Sequence, residues 1–151
     1  FIRYISGEPQ KILTGEIAGV PFKIKMDSYH PGRAIVDMKI MRDFLPVYAE
    51  GKGRTPFAEA WGYDIQGAIY RAVEGNGLPF ILAAATKEKE PDIALLAIPE
   101  DVLDTALEYV ESKAPRFADI KAGAIQPERC GHCDYCKATK VLDTVVDYRD
   151  V

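Results

Sequence analysis

The alternation of apolar and polar residues predicts two neighbouring strands in the first third of the chain. In segment 19–27 the two kinds of residue alternate with the period of a half-buried strand; its polar members include Lys23, Lys25 and Asp27. Segment 33–40 is mostly apolar, as a central strand is. Residues 30–32 between them are turn formers, so we expect the two strands to pair. Residues 1–15 show no period that assigns them to an element.

A helical period begins near Pro56 and continues to about Glu74. Apolar residues recur there every three to four positions, which predicts one buried face; its members are Trp61, Ile65, Ile69 and Val73. Glycines after Glu74 are typical of a helix end. The preceding segment, 42–56, is expected to be a loop because glycine and proline interrupt it.

Two more apolar runs, 78–85 and 93–98, have the length of strands. The polar segment 86–92 between them predicts a hairpin. Pro99 is typical of the first turn of a helix, and we expect a loop at 114–127 after that helix. The order strand, strand, helix, strand, strand, helix predicts an α/β (α+β) domain with a central mixed sheet flanked by helices.

The composition is that of one globular domain with a short appendage. The chain has 151 residues, of which 48% are hydrophobic and 28% charged. These values exclude disordered, collagen-like and coiled-coil chains, and no apolar run approaches the ~18 residues of a membrane span. We expect residues 1–120 to form the core and 121–151 a cysteine-containing extension. The chain begins at Phe1 without a signal-peptide pattern or an initiator methionine, so we expect a cytoplasmic protein that lacks an N-terminal segment here.

The net charge of −4 argues against a protein that coats nucleic acid non-specifically. It is compatible with an enzyme that has a local basic groove and a carboxylate metal site. Lys23 and Lys25 share the strand face of Asp27 and are candidates for contact with a DNA backbone. Lys52 and Arg54 lie in the glycine-containing loop and are candidates for phosphate contacts.

Asp37 and Lys39 are two positions apart on one predicted strand and therefore share a face. Asp27 is predicted to end the preceding strand, so two carboxylates and an ammonium could converge. Two carboxylates suit Mg²⁺ or Mn²⁺, and a lysine beside them can stabilise developing negative charge. The alternative is that Asp37 and Lys39 are surface residues. We expect Val36, Met38 and Ile40 on the opposite face, packed against the core.

Gln66 and Tyr70 are four positions apart on the predicted helix and share a face. Glutamine can contact a phosphate, a base or a metal-bound water, and tyrosine can stack or donate a hydrogen bond. The alternative is a half-exposed polar residue with an aromatic residue that packs locally.

Taken together, these residues resemble the PD-(D/E)xK nuclease superfamily, in the branch of the RecB and AddB nuclease domains, the RecE exonuclease and lambda-type phage exonucleases. The pattern is an aspartate on one strand, D/E-x-K on the next and Q-x-x-x-Y on the following helix; here these are Asp27, Asp37-Met38-Lys39 and Gln66 with Tyr70. The similarity extends from Glu16 to about Ile98. The segments GVPFKIKMD, AIVDMKI and YDIQGAIYR are especially similar to prophage exonucleases of the RecE-like kind.

The resemblance implies a restriction-endonuclease-like core and metal-dependent hydrolysis of DNA phosphodiesters, by an exonuclease of phage recombination or DNA repair. It implies Asp27, Asp37 and the backbone carbonyl of Met38 as metal ligands, Lys39 as the catalytic lysine, and Gln66 and Tyr70 as the helix motif. Many relatives carry an upstream histidine or glutamate, for which Glu16 is the candidate here. His30 is expected to be an exposed turn residue. Partners implied are DNA, a single-strand annealing protein and further copies of the chain, without a membrane.

Cys130, Cys133 and Cys136 form a C-x₂-C-x₂-C motif. Thiolates at this spacing suit Zn²⁺ or an iron–sulfur cluster, each of which usually takes four protein ligands. The fourth ligand could be His132 or a cysteine in the expected N-terminal segment, and the alternative is three reduced thiols. Basic residues nearby could contact DNA or simply be solvated.

Two other functions compete with a nuclease. In a non-catalytic nucleic-acid-binding module, the cysteine segment would be a zinc knuckle and the carboxylates would be structural. In a small redox protein built around the cysteines, Asp27, Asp37 and Lys39 would have no role. Metal-dependent cleavage of DNA that requires Lys39 separates the nuclease from both.

Overall fold

A five-stranded mixed sheet forms the centre of the molecule. The computed structural model describes residues 1–49 and 53–150. The strands are β1 (Glu8–Ile17), β2 (Val20–His30), β3 (Ala34–Met41), β4 (Val47–Ala49), β5 (Gly53–Thr55), β6 (Phe80–Thr86) and β7 (Ile93–Ala97). The large sheet has the order β1-β2-β3-β6-β7, and β4 pairs with β5 separately. Only β3 and β6 are parallel among these described strand pairs, as a helical crossover between them requires.

Six helical segments accompany the strands within the described residues. They are α1 (Ile2–Ile5), α2 (Phe57–Ala60), α3 (Tyr63–Glu74), α4 (Glu100–Ala122), α5 (Asp134–Ala138) and a 3-10 turn, Tyr148–Asp150. The chain divides into two compact units, residues 1–118 and 119–151. Every described helix is too short or too polar to cross a lipid bilayer.

The main core lies between the sheet and the helices α3 and α4. Its fully buried side chains include Met26, Ile35, Phe80 and Leu82 from the strands. Gly67 lets α3 approach β6 closely, because a Cβ at this position would lie 2.4 Å from a ring carbon of Phe80. On the other face, α1 places Ile5 against a smaller buried cluster of β3 and β6. The predicted central mixed sheet flanked by helices is confirmed.

The structure corrects the prediction for the first residues. The sequence pattern assigns residues 1–15 to no element, yet β1 is a long edge strand that pairs with β2 along most of its length. Its burial alternates from Lys11 onward, but only one face is covered. Pro9 and Gly15, which are uncommon in strands, conceal that alternation in the sequence.

The prediction of one helix from Pro56 to Glu74 is wrong in one respect. The helix is interrupted at Trp61–Gly62, where Gly62 has φ 70°, a left-handed conformation that glycine adopts without strain. Trp61, predicted to be on the buried face, is 62% exposed. The break rotates α2 out of the period of α3, so Ile65 and Ile69 reach the core and Trp61 does not.

The predicted loop at 114–127 is also wrong in its first half, because α4 continues through Pro115 to Ala122. Ala114 and Val110 are buried against Ile17, and this packing favours the helix. Pro115 is exposed on the opposite side, where water can satisfy the carbonyl group that its missing N–H leaves without a partner.

Two further expectations differ from the structure. Met38 and Ile40 do lie on the sheet face opposite Asp37, but they are 47% and 71% exposed and not part of the core; among the described residues, Val36 is the one of the three that is buried. The segment 42–56 is not only a loop, since β4 and β5 form a short hairpin there.

Candidate active site

Asp37 and Lys39 lie on the face of β3 that is turned toward α3. Asp37 is 2% exposed, and an unpaired carboxylate at such a position would be costly. The Lys39 Nζ atom lies 2.6 Å from Asp37 Oδ2 and forms an ion pair with it. The two charges therefore compensate each other inside the domain.

Gln66 connects the two members of this ion pair. Its Nε2 donates a hydrogen bond to Asp37 Oδ1 at 2.7 Å, and its Oε1 accepts one from Lys39 Nζ at 2.9 Å. The ammonium also lies 4.5 Å from the ring centroid of Tyr63, one turn earlier on α3, a cation–π contact. These contacts hold the lysine in one position. We call Asp27, Asp37, Lys39 and Gln66 the carboxylate–lysine group.

Asp27 lies where β2 and β3 diverge. The described pairing of these strands covers only residues 28–30 with 34–36. Just beyond it, Asp27 Oδ2 accepts a hydrogen bond from the Met38 backbone N–H at 3.0 Å, and Oδ1 accepts one from Gln10 Nε2 at 3.1 Å. Asp27 thus replaces a main-chain partner of β3. The prediction that Asp27 ends its strand is wrong, because β2 continues to His30.

The pKa of Asp37 is raised above its ordinary value. Burial is the largest cause, and the negative charge of Asp27 raises it further. Lys39 and Gln66 act in the opposite direction without cancelling the effect. Since the negative charge of Asp27 acts on Asp37, a cation held near both carboxylates would favour the ionised form of Asp37.

This donor set fits a hard divalent cation. Both carboxylates offer oxygen ligands, which Mg²⁺ and Mn²⁺ prefer. Asp37 Oδ2 is buried, and its ion pair with Lys39 is its one close polar contact within the described residues. An oxygen left in this state can accept a further cationic partner. The side chain of Met38 points to the opposite face, so its predicted contribution is limited to the backbone.

Tyr70 lies one turn after Gln66 but does not contact the carboxylates through any described hydrogen bond. Its hydroxyl donates to the Lys25 carbonyl at 2.8 Å, and its ring meets Phe80 edge-on with centroids 6.0 Å apart. Tyr70 therefore connects α3 to β2 two residues before Asp27. Its position indicates that it orients the strand that carries Asp27.

The structure separates the other predicted residues. Lys23 and Lys25 are exposed along β2, and Arg54 is exposed on β5; Lys52 lies outside the described residues. Glu16 pairs with Pro21 at the far end of the β1–β2 hairpin, whereas Gln10 at the near end contacts Asp27. The structure does not bring Glu16 to the carboxylate–lysine group.

The expectation that His30 is an exposed turn residue is wrong. The residue belongs to β2 and is half-buried, and its Nε2 donates to the Tyr4 carbonyl at 2.8 Å. The fully buried Ser28 hydroxyl donates to the same carbonyl at 2.9 Å. These bonds attach α1 to the sheet, which is a structural role.

The three cysteines of the second unit form a compact cluster. The Sγ atoms of Cys130, Cys133 and Cys136 lie within 4.8 Å of one another. Backbone N–H groups of Cys133 and Cys136 donate to the preceding cysteine sulfur, each at 3.4 Å. The N–H of Cys133 is the largest of the causes that lower the pKa of Cys130, to about 6. The lowered pKa favours the thiolate, which is the form of cysteine that binds metal ions.

His132 is not among the grouped ligands of this cluster. Its Nδ1 lies 2.9 Å from the Cys130 carbonyl, so the ring is directed to the backbone. The described residues thus supply three sulfur ligands, and we call them the cysteine cluster.

Two residues of the site were not predicted from the sequence. Tyr63 precedes Gln66 by three positions and so shares its helix face, which was an available signal. Gln10 gave none, because it lies in the segment without a clear period; its φ of 54° marks an irregularity of β1 opposite Asp27.

Comparisons with known proteins agree with this geometry. A family model described as "PDDEXK-like domain of unknown function (DUF3799)" matches residues 1–139. A crystal structure from Eubacterium rectale, described as a "Putative exonuclease", is 42% identical, with a TM-score of 0.86 over 99% of this chain. The chain spans 58% of that protein's length. The restriction-endonuclease-like fold is confirmed by this likeness. None of the curated proteins matches the chain.

Proposed function

Because the chain belongs to this PDDEXK-like family, and so to the PD-(D/E)xK nucleases, we propose that it hydrolyses phosphodiester bonds of DNA with a divalent metal ion. The single observation that carries the proposal is the carboxylate–lysine group. Asp37, Lys39 and Gln66 are joined by an ion pair and two hydrogen bonds. Asp27 lies beside them, where β2 and β3 diverge, and accepts a hydrogen bond from the Met38 N–H.

Asp27, Asp37 and the Met38 carbonyl would hold Mg²⁺ or Mn²⁺. When bound, such an ion lowers the pKa of a water molecule and offsets charge on the phosphate. The buried Asp37 Oδ2 and the raised pKa of this carboxyl support a cation at this position.

The protein's own residues then have separate tasks. Lys39, held by Asp37, Gln66 and the Tyr63 ring, stabilises negative charge that develops on the phosphate oxygens. Gln66 keeps the lysine and the carboxylate at a constant separation. Tyr70 holds the backbone of β2 through Lys25 and so positions Asp27.

The finer features of the function are also proposals. We infer an exonuclease of phage recombination or DNA repair. Its contacts to the DNA backbone would come from Lys23, Lys25 and Arg54, with Lys52 as a further candidate. A single-strand annealing protein and further copies of the chain are the proposed partners. The family match and the neighbour's description support the nuclease class. The three free thiols suit a reducing compartment, for which we propose the cytoplasm.

We propose that the cysteine cluster holds Zn²⁺ or an iron–sulfur cluster in a structural role. The Sγ atoms within 4.8 Å of one another support this, since sulfur ligands of one ion must converge. A fourth ligand would come from outside the three cysteines.

Degradation of linear duplex DNA tests the proposed function. The protein is incubated with Mg²⁺, with Mn²⁺ or with EDTA, and Asp37→Ala and Lys39→Ala are run beside the wild type. Lys89→Ala is the matched control, because Lys89 is exposed on the β6–β7 connection. We expect metal-dependent loss of DNA in the wild type and the control alone. Binding of DNA without cleavage under either metal would contradict the nuclease and favour the non-catalytic binding module.

A further inference from the structure

Two large aromatic side chains are exposed on elements that connect to α3, the helix that carries Gln66: β4 packs against α2, and α2 packs against α3. Trp61, at the break between α2 and α3, is 62% exposed, and Tyr48 on β4 is 78% exposed. Neither side chain forms a hydrogen bond with a described residue. Exposing this much aromatic surface loses the burial that aromatic residues normally gain, so the folded domain alone does not account for their presence there.

Tyr48 lies beside a cation on the outer face of a short hairpin. It is the register partner of Arg54, so their side chains leave the same face, with Cβ atoms about 5 Å apart. The neighbouring pair, Val47 with Thr55, faces inward, and Thr55 is buried. Arg54 forms no hydrogen bond or ion pair with any residue in the described part of the chain. An aromatic ring and a guanidinium are therefore presented on the same face of the hairpin.

A continuous series of contacts connects this hairpin to Lys39. The hairpin strand β4 packs against α2, and the rings of Phe44 and Phe57 are 5.9 Å apart just beside it. Helix α2 leads directly into Trp61. Two residues later, the Tyr63 ring lies 4.5 Å from Lys39 Nζ. Chain connectivity keeps the Cα atoms of Trp61 and Tyr63 within about 7 Å of each other.

Exposed aromatic rings alternating with cations are the arrangement that binds single strands. Bases stack on the rings whatever their sequence, and the cations meet phosphates. A base inside a duplex already stacks on its neighbours on both sides, so away from the duplex ends an aromatic side chain gains a stacking partner only where bases are unpaired. Arg54 borders Tyr48 across the hairpin, and a cation at this position fits a phosphate group.

We infer that Trp61 and Tyr48 stack on unpaired bases of the substrate strand and that Arg54 contacts its phosphate backbone. We call these three residues the stacking surface. The inference rests on the proposed function, to which it adds a substrate class: DNA ends with unpaired bases beside the scissile phosphate. Stacking of this kind changes affinity by about 5- to 150-fold per base.

Tryptophan fluorescence tests this directly, because the chain contains a single tryptophan. The protein carries Asp27→Asn, which removes a proposed metal ligand while keeping an oxygen for the Met38 N–H, so that DNA is bound without being cut. Single-stranded oligothymidylate and a blunt duplex of the same length are titrated separately. We expect oligothymidylate to quench the emission strongly and the blunt duplex to quench it little.

Affinity for oligothymidylate, measured with a labelled strand, identifies the side chains. We expect Trp61→Ala and Tyr48→Ala each to weaken binding by about 5- to 150-fold, and Trp61→Phe and Tyr48→Phe to retain most of it. Tyr4→Ala is the matched control, because Tyr4 is exposed on α1, which packs with Ile5 on the opposite face of the sheet. Circular dichroism of each variant establishes that it is folded.

The outcomes distinguish this inference from the proposed function. Unchanged affinity in Trp61→Ala and Tyr48→Ala, together with DNA cleavage by the wild type, would overturn the stacking surface and leave the nuclease intact. Quenching and weakened variants without any cleavage by the wild type would support the stacking surface and contradict the nuclease. A change from dimer to monomer in Trp61→Ala, without an effect on DNA, would show that a second copy covers these rings and would overturn the inference.

Discussion

The carboxylate–lysine group and the cysteine cluster are both candidate metal sites, but they are built in opposite ways. Asp27, Asp37, Lys39 and Gln66 come from three elements and meet because the sheet and α3 pack together. The cysteines come from one short segment and meet because a local turn and α5 bring them together. The first group offers oxygen ligands around a buried carboxylate, and the second offers sulfur ligands of which two are exposed. The first site therefore depends on the packing of the whole core, and the second depends on local structure alone.

The largest expected difference concerns cleavage itself. Lys39→Ala should reduce the rate of DNA cleavage by about 10²- to 10³-fold, as loss of one group that stabilises transition-state charge does. Cys130→Ser should leave the rate within a few-fold, because the role proposed for the cysteine cluster is structural. Single-turnover kinetics with Mg²⁺ measures both. Equal losses in the two variants would mean that the sites do not have separate roles.

Metal content separates the two sites by ligand chemistry. Purified protein should carry zinc or iron at the cysteine cluster, and Cys133→Ser should lose it, because thiolates prefer these metals. Asp37→Ala should retain that metal while it loses cleavage. Elemental analysis after gel filtration measures the content. Retention of the metal in Cys133→Ser would place it elsewhere in the chain.

The close approach of α3 to β6 is expected to support only the first site. Gly67→Ala should destabilise the domain by about 1–3 kcal/mol, because the added Cβ would lie 2.4 Å from a carbon of the buried Phe80 ring. It should also reduce cleavage, since Gln66 is the adjacent residue. Gly15→Ala is a graded control, because its nearest contact is 3.2 Å, to Val73. Urea unfolding measures the stability of both variants, and equal losses of unfolding free energy would contradict the packing argument.

The raised pKa of Asp37 predicts a pH dependence of stability in the metal-free domain. A folded-state pKa above the unfolded one means that the protonated carboxyl is favoured by folding. This contribution is present below the ordinary pKa and is lost as pH rises through the raised value. The stability of the wild type in EDTA should therefore fall over that interval relative to Asp37→Asn, which cannot ionise. Urea unfolding between pH 4 and 7 measures it, and parallel curves would contradict it.

Removal of the Tyr70 hydroxyl should have the smallest effect. Tyr70→Phe keeps the contact with Phe80 and loses the hydrogen bond to the Lys25 carbonyl. We expect a loss of about 1 kcal/mol in unfolding free energy and a severalfold loss of cleavage, with the cysteine-bound metal unchanged. A loss of cleavage as large as that of Lys39→Ala would instead assign Tyr70 a direct part in the reaction.

Several elements could be predicted because their signal is local. The alternation in β2, the apolar run of β3 and the Gln66–Tyr70 spacing each lie within one element, and the structure has all three. The errors occurred where a neighbour decided the outcome. Trp61 has helical spacing but is exposed because Gly62 breaks the helix, and α4 passes Pro115 because Ala114 is buried.

In the candidate active site, too, the sequence predicted what lies within one element and missed the contacts between elements. The sequence placed Asp37 and Lys39 on one face, but it contained no sign that Gln66 would bond to both or that Gln10 would hold Asp27. Glu16 is a candidate ligand because it is near the predicted strands in sequence. In the antiparallel β1–β2 pair, however, Glu16 lies opposite Pro21, near the turn, whereas Asp27 lies farther along β2.

The sequence by itself determined the strand and helix periods, the residue types of both candidate metal sites and the cysteine spacing, because each is a property of residues a few positions apart. Only the tertiary structure decided that Asp37 is buried, that its pKa is raised, that β2 and β3 diverge at Asp27, and that Trp61 and Tyr48 stay exposed. The physical reason is that burial and charge coupling depend on which elements pack against each other, and those elements can lie far apart in sequence, as Lys39 and Gln66 do at a separation of 27 residues.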